Sequence, residues 1–138
     1  MFDWQPNRSM LGATVIPELA YPDVLEASEW LCRVFGFTER LRIGNHRVQL
    51  TVGNGAVIVT QAQPGQSANH AHSLLVRVTD VDRHFEQAQS QGARILQAPA
   101  TFMYGERQYN VADPGGHVWT FSQTVADIDP ADWGGILA

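Results

Sequence analysis

Glu18, directly after Pro17, is the carboxylate in this chain best placed for proton transfer. The alternation around it predicts a central strand. A carboxyl buried there would have a raised pKa unless a cation such as Arg77 faced it. It could then act as a general acid or base; the plain alternative is an exposed strand-end glutamate in an ion pair. A second group, Phe102, Tyr104 and Arg107, flanks Gly105. Rings beside a guanidinium can stack on a planar molecule or hold an anionic group, or they can simply pack at a sheet edge. His70 and His72 form an H-x-H pair, a spacing that binds metal in some sites and lies in a solvated loop in others. Cys32 is the one cysteine and lies within a helical pattern, so it reads as a buried, inert thiol that cannot form an intrachain disulfide.

The elements that must position these groups come in two similar sets. Asp23 caps a helix over Val24–Phe35, with Ala27, Trp30, Leu31 and Val34 at helical spacing and Gly36 as the stop. Asp80 caps a second helix over 81–91, with Val81, Phe85 and Ala88 as its stripe and Gly92 as the stop. A strand precedes each helix, at 14–21 and 73–78, and three strands follow. In the first set these are 38–43, 47–52 and 56–61; in the second they are 94–98, 107–112 and 117–123, with 97–106 as the longest loop-like stretch. Glycine-rich turns at Gly44-Asn45, Gly53-Asn54-Gly55 and Asp113-Pro114-Gly115-Gly116 join the hairpins. Asp23 matches Asp80 and Gly55 matches Gly116, offsets of 57 and 61.

Each half therefore reads β-α-β-β-β. A four-stranded half-sheet buries itself poorly alone. The expected fold is α+β: two such modules paired about a pseudo-twofold axis into an open β-cup, with the helices outside. Module one covers about 11–64, a linker 65–71, module two 72–123 and a tail 124–138, all in a single domain. In the tail, Asp129-Pro130 starts a short helical turn. Trp133 is expected to pack back on the body or make a dimer contact, and Trp4 likewise.

Composition narrows the function classes. Charged residues are 17% of the chain and the formal net charge is −5, with no Lys/Arg cluster, so nucleic acid and anionic membrane are poor partners. No apolar run is long enough for a membrane span, and the first ten residues lack the order of a signal peptide, so a cytoplasmic protein is expected.

Several segments resemble the glyoxalase / bleomycin-resistance / extradiol-dioxygenase (vicinal oxygen chelate) superfamily. They are Asp23-Val24 through Trp30-Leu31 to Phe35-Gly36-Phe37, then Val78-Thr79-Asp80-Val81-Asp82, and the turn Asp113-Pro114-Gly115-Gly116-His117. Tyr104-Gly105-Glu106-Arg107 is similar to the branch labelled PhnB-like. The resemblance covers about residues 11–123. It implies metal ligands seven residues before each capping Asp and four after each turn Gly, which here are Ile16, Ser73, Val59 and Thr120. Two of these cannot coordinate, and the other two are weak neutral donors. His72, one residue from Ser73, would serve only if the register were shifted. No metal and no cofactor are expected; a divalent metal at His72 is the alternative.

Side-chain parity places Ile16, Glu18, Ala20, Val57, Val59, Gln61, Ser73, Leu75, Arg77, Val118, Thr120 and Ser122 on the inner faces, with Gln49 and Asn110 adding polar groups. Trp119 and Phe121 should face the helices. The expected ligand-binding residues are Gln49, Val59, Ser73, Leu75, Arg77, Phe102, Tyr104, Arg107, Asn110 and Thr120. The resemblance implies a homodimer that binds or sequesters a small organic ligand, aromatic or antibiotic-like. The alternatives are a lyase, isomerase or dioxygenase of the same superfamily using Glu18 or a metal at His72, and an interaction module with a filled cup.

Overall fold

The computed structural model describes residues 1–138. Both helices start at the expected caps. In α1 (Val24–Phe35) the Asp23 carboxylate accepts the Glu26 backbone N–H at 3.0 Å. Gly36, at φ 82°, ends the helix by donating its N–H to the Cys32 carbonyl, a left-handed conformation that a side chain would oppose. In α2 (Val81–Ser90) Asp80 accepts from the Arg83 N–H at 3.1 Å.

The strands are β1 (Glu18–Tyr21), β2 (Thr38–Ile43), β3 (Arg47–Val52), β4 (Gly55–Gln61), β5 (Leu74–Arg77), β6 (Arg94–Thr101), β7 (Glu106–Ala112) and β8 (Val118–Thr124). The α+β class and both βαβββ modules expected from the sequence are present. The chain divides into two compact units. The first is Met1–Asn69 with the turn Pro114–His117, and the second is His70–Asp113 with Val118–Ala138. Each holds one four-stranded mixed sheet, ordered β1-β4-β3-β2 in the first and β5-β8-β7-β6 in the second. The first and last strands of each module run parallel and the rest antiparallel.

Three elements differ from expectation. β1 begins at Glu18 rather than Thr14 and is an end strand of its sheet, not a central one. β6 runs through Pro99 to Thr101, so the expected loop over 97–106 contracts to four residues, 102–105. Proline is tolerated there because β6 is an edge strand whose register shifts between Gln97 and Ala100. The turn Pro114–His117 packs in the first unit, where His117 Nε2 lies 2.9 Å from the Ala20 carbonyl oxygen.

In the first unit one sheet face carries Leu19, Tyr21, Val48, Leu50, Val57 and Val59, all buried, and α1 packs over β1, β3 and β4 with Val24, Ala27, Leu31 and Val34. Burying each such side chain stabilises the fold by about 2 kcal/mol, an upper bound because unfolded chains already hide some surface. In the second unit Trp119, Phe121, Tyr109 and Val111 form the matching face. The ring of His84 on α2 lies 4.1 Å from that of Phe121, and its Nδ1 lies 2.6 Å from the Tyr109 hydroxyl. Trp119 and Phe121 thus face the helix, as alternation predicted.

The chain ends are tied to their own units. Trp4 Nε1 donates to Thr14 Oγ1 at 3.1 Å. In the tail, Asp129 caps a 3₁₀ turn over Pro130–Trp133, and the Trp133 ring packs 5.4 Å from that of Tyr104. No helix is long and apolar enough to cross a membrane.

Candidate functional site

The strongest concentration of polar groups is the face of the second sheet turned away from α2. Register puts Leu75, Arg77, Gln97, Glu106, Gln108, Asn110, Thr120, Ser122 and Thr124 on it. They form two hydrogen-bond chains. In the first, the Tyr104 hydroxyl donates to Gln108 Oε1 at 3.2 Å, and Gln108 Nε2 donates to Ser122 Oγ at 3.0 Å. Ser122 Oγ in turn donates to Glu106 Oε1 at 2.7 Å. Thr124 also stabilises the Glu106 carboxylate and accepts from Arg77 Nη2 at 3.0 Å. In the second chain, Thr120 Oγ1 donates to Asn110 Oδ1 at 2.7 Å and Asn110 Nδ2 donates to Gln97 Oε1 at 3.1 Å.

The electrostatic centre of this face is Glu106. Partial burial pushes its pKa up, but the Thr124 and Ser122 hydroxyls and the Arg77 charge outweigh that, so the carboxyl sits below its ordinary value. The face therefore presents a carboxylate, a guanidinium, and amide and hydroxyl groups held in place by one another, which lowers the cost of ordering them around a ligand. Beside it Phe102 and Tyr104 stack with ring centroids 5.5 Å apart and planes 6° from parallel. Exposed Leu75 adds apolar surface.

Of the residues expected to bind a ligand, the second unit brings Leu75, Arg77, Asn110 and Thr120 onto one face, with Phe102 and Tyr104 at its edge. Ser73 is exposed and lies just before β5. Arg107 is a correction. It has the opposite parity, pairs in register with Gln123, and donates to both oxygens of Asp82 on α2 at 3.1 and 3.2 Å, and to Thr101. It does not share the face of Tyr104 and Asn110.

In the first unit, Val59 is also a correction. It lies with Leu19 and Val48 on the face covered by α1, so Ile58 takes the opposite face together with Glu18 and Gln49. The same shift moves Val57 and Gln61 off the face of Glu18. Its cause is turn length. Glu18 and Leu75 each stand five residues before their capping Asp, and their register partners Ile58 and Thr120 are 62 positions apart, not 61. The chain between Asn110 and its partner Thr120 holds one residue more than that between Gln49 and its partner Ile58, and one residue reverses every side chain in a strand. Glu18 is not in a buried site: its carboxylate pairs with Arg47 at 2.7 Å and its side chain is 55% exposed. Gln49 is buried but engaged, donating to the Ser9 carbonyl and accepting from Arg40.

The positions implied for a metal do not fit one. After correction they are Ile16, Ile58, Ser73 and Thr120, two hydrocarbons and two neutral hydroxyls, and divalent metals want imidazole, carboxylate or thiolate. His70 and His72 are exposed, and nowhere do three His, Cys, Asp or Glu side chains gather as a metal set would. Cys32 is partly buried; burial first, then the nearby Glu39 charge, raises its thiol pKa.

The sequence reading passed over Glu106, Gln108 and Thr124. Their signal was present: in Glu106-Arg107-Gln108-Tyr109-Asn110-Val111 the even positions are polar while Tyr109 and Val111 are core.

The profile of the glyoxalase/bleomycin resistance protein/dioxygenase superfamily matches residues 13–121. Among solved structures, TioX from Micromonospora sp. ML1 superposes with a TM-score of 0.69 at 36% identity, covering 83% of this chain and 98% of TioX. The fosfomycin resistance protein FosX from Listeria monocytogenes superposes at 0.67 with 13% identity over 83% of this chain and 94% of its own, a likeness of fold alone. An uncharacterized protein of Mycobacterium bovis is 40% identical over 57 residues, which are 41% of this chain and only 38% of that protein. The profile match, spanning both modules, establishes that the chain belongs to the glyoxalase/bleomycin resistance protein/dioxygenase superfamily.

Proposed function

We propose that this protein is a metal-free binder of a small organic molecule, of the bleomycin-resistance rather than the metal-enzyme kind, and that it acts in the cytoplasm as a homodimer. One observation carries the reading: the face of β5, β8, β7 and β6 that gathers the hydrogen-bonded chain of Tyr104, Gln108, Ser122 and Glu106 beside the Arg77 charge. An apolar rim with a few fixed polar groups suits an aromatic or antibiotic-like ligand. The rival, an enzyme using Glu18 for proton transfer, has less support, because that carboxylate is exposed and already paired with Arg47. A metal enzyme finds no donor set.

The test is thermal unfolding with bleomycin and a panel of planar antibiotics. At about a hundredfold excess over Kd a specific ligand adds about 2.7 kcal/mol, a Tm rise of about 5–10 °C. The rise should shrink in Tyr104→Ala. No rise with any compound, or a rise unchanged in that variant, would overturn the proposal.

A further inference from the structure

The first ten or so residues lie outside the βαβββ repeat, yet they are built into the first unit. The arm closes on itself through Trp4 Nε1 and Thr14 Oγ1, and turns at Asn7, whose carbonyl accepts the Met10 N–H at 2.9 Å. Leu11 is buried at 3% exposure and anchors it. Two side chains of the sheet hold its backbone. Gln49 Nε2 donates to the Ser9 carbonyl at 2.9 Å, and Arg40 Nη2 to the Arg8 carbonyl at 2.8 Å.

Between this loop and Arg40 lies a cleft of about 620 Å³ whose walls include Trp4, Pro6, Met10, Leu11 and Ile16. That volume suits a small molecule. Arg40 is its one charged group apart from Arg8, and it is placed there by a bulge: register shifts between Glu39 and Leu41, leaving Arg40 as the extra residue beside Gln49. Four of the nine arginines, Arg33, Arg42, Arg47 and Arg107, pair with a carboxylate. Arg40 instead donates to two neutral oxygens, Gln49 Oε1 at 2.7 Å and the Arg8 carbonyl. A guanidinium has five N–H donors in a planar fork, so Arg40 retains donors for an anion. An apolar cleft with a cation that no protein carboxylate neutralises is complementary to a molecule with an apolar body and one acidic end.

We propose that the N-terminal arm and Arg40 form a second binding site, for a small amphiphilic carboxylate. The carboxylate pairs with the Arg40 guanidinium and the chain or ring lies against Met10, Leu11 and Trp4. This site lies wholly in the first unit and stands or falls separately from the face of the second sheet.

The test is amide NMR titration of the full chain with octanoate, with octanol as the neutral match. Expected are saturable shifts centred on residues 4–14 and Arg40, with octanoate bound about tenfold more tightly than octanol. Arg40→Gln should remove that preference while octanol binding persists. Because Arg40 also tethers the arm, Met10→Asp serves as a second variant that keeps the tether and repels the carboxylate; it should weaken octanoate about tenfold or more. The proposal is overturned by unsaturable shifts, by saturable shifts outside the arm, or by octanoate affinity that survives both substitutions.

Discussion

Ser122 Oγ donates a 2.7 Å hydrogen bond to Glu106 Oε1 across the β7–β8 pair, and the same serine accepts from Gln108. This contact joins the aromatic end of the second sheet's open face to its charged end. It also sets the sign of a pH effect. A carboxyl with a folded pKa below its unfolded value contributes stability that is fully present above the unfolded pKa and is lost as pH falls through the folded one. Glu106 is such a group. In urea unfolding between about pH 3 and pH 7 the wild-type protein should lose part of its stability below the ordinary glutamate range. Glu106→Gln should show a shallower loss in that window. Ser122→Ala should raise the Glu106 pKa, read by carboxyl-carbon NMR, and cost about 1 kcal/mol. An unchanged pKa would mean the hydroxyl does not stabilise the carboxylate.

Val59 and Leu75 test which faces are covered. Val59 is fully buried and Leu75 is 59% exposed. Val59→Ala should destabilise by about 2 kcal/mol and Leu75→Ala by less than about 0.5 kcal/mol in chemical denaturation. Equal costs would contradict the burial of Val59 and the exposure of Leu75.

Gly105 is where the tail crosses the body. Its φ is 84°, its carbonyl accepts the Val125 N–H at 2.8 Å, and a Cβ there would collide with the Ala126 carbonyl and the Ile128 side chain. Gly105→Ala must therefore move the backbone. The expected cost is about 2 kcal/mol or more, with faster hydrogen exchange at Val125 and Ala126. Unchanged exchange there would show that the tail does not depend on this crossing.

Metal content is a direct check on the donor argument. Protein purified without a chelating column should carry far less than one equivalent of Zn, Ni, Fe or Mn by plasma mass spectrometry, and EDTA should leave its Tm unchanged. Near-stoichiometric metal lost in His72→Ala would overturn the metal-free reading.

The helices, their caps and the repeated βαβββ order were legible in the chain because each rests on local chemistry: Asp23 and Asp80 at N-termini, Gly36 and Gly92 beyond C-termini, and glycine at the turns. The family resemblance rested on the same segments. The polar face of the second sheet was half legible, since Leu75, Arg77, Asn110 and Thr120 follow strict alternation. Glu106 escaped notice because Pro99 and Gly105 suggested a loop where β6 and β7 extend. Partners that no short-range pattern specifies were settled only by the tertiary structure. Arg107 has the spacing to join Tyr104 but sits one residue out of phase and meets Asp82 on α2. Glu18 meets Arg47, twenty-nine residues away, rather than Arg77. Val59 turns toward α1 because β4 pairs it with Leu19 and Val48, a register that one count from the turn glycine, applied alike to both modules, does not give. Alternation fixes which neighbours share a face, but which face is buried depends on strand register, and register is decided by pairing between segments far apart in sequence.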